Sequence, residues 1–128
     1  GGRPAHAEPP PHMNVDPALS ALDAFDRATS LFNAAGVPSD WVEAARLFHI
    51  SADDENGIAA AQFNLAQFYL RGQGVLEDHG KAAHYYRLAA EQGHLMARND
   101  LANRFFEGDG VGLNHAEAAR WYRLAADG

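Results

Sequence analysis

The chain contains no cysteine. That absence removes disulfide frameworks, thiolate metal sites and cysteine nucleophiles together, and leaves the redox compartment open. Positive charge is scarce as well: 10 Lys and Arg face 17 Asp and Glu, for a net charge of −7 and a pI near 5.3. Such a surface is not drawn to phosphate backbones or anionic lipid, which argues against nucleic acid and membrane surfaces as partners. No apolar run approaches the length of a membrane span, and the N-terminus has no apolar signal-peptide core; removal of a signal by processing is compatible with this.

Chemical motifs are equally sparse. Gly72-Gln73-Gly74 and Gly108-Asp109-Gly110 have the look of phosphate cradles, but each follows a helical pattern and no Walker lysine comes after. Helix C-caps and turns account for them better. His6-Ala7-Glu8 and His115-Ala116-Glu117 have the spacing of the deaminase His-x-Glu element without its cysteine ligands. His79, His84, His94 and His115 raise the question of a metal, yet no two of them are four apart on one helix, so no metal site is expected. The acidic residues form neither an EF-hand loop nor a Glu-x-x-His pair, and no G-x-S-x-G is present. No catalytic residue, cofactor or enzymatic activity is expected.

What the chain does have is apolar material and a repeat. With 47% hydrophobic and 21% charged residues in 128, it reads as one soluble domain with a core. A step of 36 positions carries Ala61 to Ala97, Leu65-Ala66 to Leu101-Ala102, Gly72 to Gly108 and Gly74-Val75 to Gly110-Val111. The same step carries Ala82-Ala83 to Ala118-Ala119 and Tyr86-Arg87-Leu88-Ala89-Ala90 to Tyr122-Arg123-Leu124-Ala125-Ala126. A period of this size marks a repeat architecture, in which each unit buries its apolar face only against its neighbours.

In chain order, residues 1–15 are rich in proline and glycine and are expected to form a disordered arm, partly an expression remnant ending near His12-Met13. The competing reading is a proline-rich segment that docks in a partner's aromatic groove. Asp16-Pro17 predicts a helix start, and Leu22, Phe25, Ala28 and Phe32 give that helix an apolar stripe to about Ala35. Gly36-Val37-Pro38 breaks it, and Asp40 with Glu43 has the capping-box spacing for a second helix ending near Asp53. This first unit repeats less exactly: Asp40 matches Asp78 at a step of 38, whereas Phe32 matches Tyr69 at 37. Further helices are predicted over 58–71, 78–92, 95–107 and 114–127, with Asp40, Asp78 and Asn114 as equivalent N-caps. Alanines stand where helices approach closely, and Tyr69, Tyr85, Tyr86, Phe105, Trp121 and Tyr122 fill the layers between.

These residues resemble the Sel-1-like repeats, relatives of the tetratricopeptide repeats. One copy of the pattern is Ala61, Leu65-Ala66, Tyr69, Gly72-Gln73-Gly74-Val75, Asp78, Ala82, Tyr85, Ala89-Ala90 and Gly93. A second is Ala97, Leu101-Ala102, Phe105, Gly108-Asp109-Gly110-Val111, Asn114, Ala118, Trp121 and Ala125-Ala126. Ala66 and Ala102 replace the family's usual glycine, and the first unit lacks the double-glycine loop. The resemblance implies an all-α, right-handed α-α superhelix of three helical hairpins, six helices in all. Residues 16–128 would form it, with repeats at about 17–56, 57–93 and 94–128.

The resemblance further implies a non-catalytic adaptor or scaffold that holds a protein or peptide segment, in a bacterial periplasmic or envelope setting with the cytoplasm as the alternative. In such a solenoid the first helix of each unit lines the concave side. The register places Asn33, Phe63, Gln67, Leu70, Arg71, Asn99, Asn103, Phe106 and Glu107 there. Amide side chains can hold a peptide backbone and Phe63 and Phe106 can anchor apolar side chains, or those two rings simply pack against the neighbouring unit. Trp121, Leu124 and Ala125 lie on an end face without a following hairpin. The alternative function is therefore a structural spacer or oligomerisation module, a homodimer or a fragment of a longer array joined through that face.

Overall fold

In the computed structural model of the chain, the described residues are 19–34, 38–53 and 57–128, with side chains described for all but 32–34, 38 and 39. The arm over 1–15, the Asp16-Pro17 start, the Gly36-Val37 break and the Asn33 side chain lie outside that set. Six α-helices make up the described structure: α1 Ala21–Ala34, α2 Pro38–Ala52, α3 Ala59–Arg71, α4 His79–Glu91, α5 Leu95–Glu107 and α6 His115–Asp127. They pair as three hairpins, α1 with α2, α3 with α4 and α5 with α6, and neighbouring hairpins meet through α2 with α3 and α4 with α5. The result is an α-solenoid.

The helix starts follow from local chemistry. Asp78 and Asn114 are N-caps as expected, their side chains accepting from the amides of Lys81 at 3.0 Å and Glu117 at 2.9 Å. His94 caps α5 with its ring nitrogen, which accepts from the Ala97 amide at 3.2 Å. Two starts differ from the expectation. Helix α1 begins at Ala21, where Ser20 caps it by accepting from the Asp23 amide at 3.0 Å. Helix α2 begins at Pro38, whose fixed φ suits a first helical position, so Asp40 sits inside the first turn and is not the cap. Glu43 accordingly forms no capping box; it accepts two hydrogen bonds from Arg46, at 2.9 and 2.6 Å.

Packing follows the small residues. Ala61, Ala66, Ala82, Ala89, Ala90, Ala97 and Ala102 are fully buried, and between them sit Leu65, Phe68, Tyr86 and Leu101. Small residues at these positions bring helices close enough for the larger rings to fill the remaining space. Phe48, for instance, lies edge-on to Phe68 at 5.6 Å across the joint between the first two hairpins.

The double-glycine loops join one unit to the previous one. Gly74 and Gly110 have φ of +71° and +81°. A Cβ on Gly74 would stand 2.3 Å from the Trp41 carbonyl oxygen, and one on Gly110 would stand 2.1 Å from that of His79. Each loop therefore lies directly on the first turn of the preceding unit's second helix, and only glycine fits.

Candidate functional site

Residues four apart share a helix face, so α3 presents Gln67 and Arg71 on successive turns and α5 presents Asn99 and Asn103. Arg71 and Asn99 are exposed, and Gln67 and Asn103 half-buried. Asn103 Oδ1 accepts the hydroxyl hydrogen of Tyr122, which anchors its amide against α6. Glu107 is exposed, with Arg104 at 3.6 Å. Phe106 is 52% exposed and its ring stacks on His115 at 4.8 Å, at the tip of the third hairpin.

Three residues expected at a surface are placed elsewhere. Phe63 is only 6% exposed and stacks on His94 at 4.7 Å, so its ring seals the second unit against the third and offers no free face. Leu70 packs partly buried against the core. Trp121 is 4% exposed, within the core, and the Arg120 guanidinium lies over its ring at 4.6 Å. Ala125 does face an opening. Together with Leu95, Met96, Asn99, Asp100, Tyr122 and Ala126 it lines an open cleft of about 550 Å³ between α5 and α6. Leu124 is half-buried, and its carbonyl accepts from Arg98 at 3.0 Å.

A polar group behind the Arg71 row had no part in the sequence reading. Burial raises the pKa of Asp100, while Arg104 and Arg71 oppose that rise. Burial and the Asp100 charge likewise raise that of the fully buried Tyr86. The Tyr86 hydroxyl and the Arg104 Nε are buried without a hydrogen-bond partner. Asp100 and Arg104 are four apart on α5, which was the visible signal; that Tyr86 of α4 lies within reach of their charges was not readable from spacing.

A second group joins α2, α3 and α4. His49 Nδ1 lies 2.9 Å from Asp53 Oδ2, His49 Nε2 lies 2.7 Å from the Tyr69 hydroxyl, and the Tyr85 hydroxyl donates to Asp53 Oδ1 at 2.8 Å. A phenol, an imidazole and a carboxylate in series have the parts of a proton relay. Burial raises the pKa of both Tyr69 and Tyr85, and the Asp53 charge adds to the rise, so neither phenol is poised to ionise as a nucleophile. The arrangement instead ties the first unit to the second. Among the described residues, no group of three or more His, Cys, Asp or Glu is placed to hold a metal ion. No helix among them is long and apolar enough to cross a membrane.

Stacked helical hairpins, each packed on its neighbours, define a repeat solenoid. The Sel1 repeat pattern matches residues 59–94 and 95–128, more than half of the chain, and the chain belongs to the Sel1 repeat family. That family consists generally of protein–protein interaction modules, typically non-catalytic.

The fold is similar to a protective antigen present in uropathogenic Escherichia coli strains, which displays an SLR fold. Identity is 33% and TM-score 0.77, over 84% of this chain and 22% of that one, so the chain spans under a quarter of that protein. A Sel1 repeat protein from Oxalobacter formigenes matches at 28% identity and TM-score 0.73, over 84% of this chain and 79% of that one. Cysteine rich protein B of Helicobacter pylori, at 22% identity and TM-score 0.57 over 78% of this chain and 72% of that one, shares the fold. No curated protein matches the chain significantly.

Proposed function

We propose that this domain is a non-catalytic adaptor that binds an extended protein segment along the concave row of Gln67, Arg71, Asn99 and Asn103. The observation that supports it is the row itself. Three amides and a guanidinium stand at least partly accessible on adjacent first helices, and Asn103 is held in place by Tyr122. Amides can pair with both the donors and the acceptors of a peptide backbone, and Arg71 adds a charge that selects an acidic or carboxylate group. Phe106, an exposed residue whose ring stacks on His115, supplies an apolar contact at one end, and Glu107 beside it favours a basic residue there.

The test is affinity capture from a bacterial lysate with the domain as bait. A variant with Gln67, Arg71 and Asn103 changed to alanine runs beside it, after circular dichroism confirms that it folds. One partner held by the wild type and lost by the variant supports the reading. The same partners held by both overturn it.

A second reading is favoured by the cleft of about 550 Å³ at Leu95, Met96, Tyr122 and Ala125. The corresponding slot one unit earlier, at Phe63, Tyr86 and Ala89, is filled by α5. Association through that end, as a homodimer or in a longer array, is the function this surface supports, and a mass that rises with concentration would reveal it.

A further inference from the structure

The two double-glycine loops rest on equivalent helix starts but meet different side chains. At a step of 38, Trp41 of α2 corresponds to His79 of α4, and at a step of 36, Gln73 corresponds to Asp109. At these two positions the joint between the first and second units has a tryptophan and an amide, neither of which titrates; its titratable groups, His49 and Asp53, bond to Tyr69 and Tyr85 instead. The joint between the second and third has a histidine and a carboxylate.

The geometry at the second joint is demanding. His79 Nδ1 lies 2.5 Å from Asp109 Oδ1, on the loop before α6, and His79 Nε2 lies 2.8 Å from Glu77 Oε2, on the segment before α4. A neutral imidazole has one N–H and one lone pair, so it satisfies one of these carboxylates and turns a lone pair toward the other. Only the imidazolium donates to both. Asp109 has a second partner, Arg104 Nη1 of α5 at 3.1 Å, and Arg104 also faces Glu107. The start of α4 also carries Asp78, whose carboxylate caps the helix, and Lys81, whose ammonium lies over the Tyr69 ring at 5.4 Å.

We propose that His79 is a proton-operated latch between the second and third repeat units. Protonated, it ties the Gly108–Gly110 loop to the start of α4. On losing its proton it keeps at most one of the two bridges and no charge, so its hold on Asp109 weakens and Arg104 and backbone contacts carry more of the loop. Asp109 raises the pKa of His79 above the ordinary 6.5, burial opposes that rise, and Glu77 adds to it. The sign follows: the latch contributes fully below the ordinary histidine value and is lost as pH climbs through the raised one. The ring is about a third exposed, so solvent screens the interaction and the effect is modest.

The two joints supply an internal control. The amide of Asn114 donates to Phe105 O and that of Asp78 to Tyr69 O, each at 2.9 Å, closing the two loops in the same way. Hydrogen exchange of the Asn114 amide, divided by that of the Ile58 amide, which donates to Ser51 O at 2.9 Å between the first two units and is not adjacent to His79, is followed in the whole chain from pH 5.5 to 8.5. The His79 ring is titrated by NMR in the same samples. The ratio is expected to rise about two- to five-fold as His79 titrates, with the His79 midpoint above that of an unfolded histidine. In Asp109→Gln, which copies the other joint, the ratio should stay flat and the His79 midpoint should fall. Three results overturn the latch: a His79 midpoint at or below the ordinary value, a pH-independent ratio in the wild type, or an equal rise in Asp109→Gln.

Discussion

The two joints of this solenoid are built on the same backbone plan and closed by different chemistry. Between the first and second units, Gly74 lies on the Trp41 carbonyl, and the phenols of Tyr69 and Tyr85 reach His49 and Asp53 across three helices. Between the second and third, Gly110 lies on the His79 carbonyl, and the closing contacts are ionic, among His79, Asp109 and Arg104. The repeat thus conserves what its backbone needs, a glycine at a close approach, and leaves the side chains around it free to vary. The first joint is closed by hydrogen bonds among two phenols, the His49 imidazole and the Asp53 carboxylate. The second depends on the charge of one imidazole.

The comparison breaks most sharply at the glycines. Gly110→Ala and Gly74→Ala each place a Cβ against a backbone carbonyl at positive φ, where neither partner can move aside cheaply. Each is expected to cost about 2 to 4 kcal/mol, read from the denaturant midpoint at constant slope. Gly112→Ala, with no atom within 4 Å of the added carbon, is the matched control and should leave the midpoint in place. Equal loss at all three sites would mean that the close approaches do not hold the joints.

Next in size is the contrast between Ala89 and its equivalent Ala125. Ala89 is fully buried beneath the third unit, so Ala89→Leu overpacks and is expected to cost about 1 to 3 kcal/mol. Ala125 lines the open cleft, so Ala125→Leu should change stability by no more than about 0.5 kcal/mol. A large cost at Ala125 would show that the end face is already covered in solution, by a second copy, and would favour the oligomeric reading.

The smallest effect sharpens the first joint. Tyr85→Phe removes only the hydroxyl that donates to Asp53, with an expected cost of about 0.5 to 1.5 kcal/mol. Compared at pH 6 and 8, that cost should be the same. A pH-dependent loss would show that the phenol network titrates too, and would erase the distinction between the joints.

Much of the fold was readable from residue spacing alone, and particular elements show why. The Gly72 and Gly108 endings, the Asp78 and Asn114 caps and the Ala82 and Ala89 contacts each depend on a few neighbouring residues, so local chemistry exposes them. The first unit was less legible. Its cap at Ser20 competed with the equally good Asp16-Pro17 signal, and Asp40 matched the register of Asp78 while Pro38 started the helix earlier. The candidate site was legible as a row on the first helices. Which rings were free was not, because the exposure of Phe63 and Phe106, at different repeat positions, depends on what other elements lay over them.

By itself the sequence determined the class of fold: the 36-residue step, the glycine loops and the alanine spacing specify stacked helical hairpins. The tertiary structure alone decided how the units are locked. His49 meets Tyr69 across 20 residues, His79 meets Asp109 across 30 and Tyr85 meets Asp53 across 32. Helical periodicity reports which face a residue occupies on its own helix. It does not report which side chain from another unit arrives there, because that depends on how closely the alanines and glycines let the units approach.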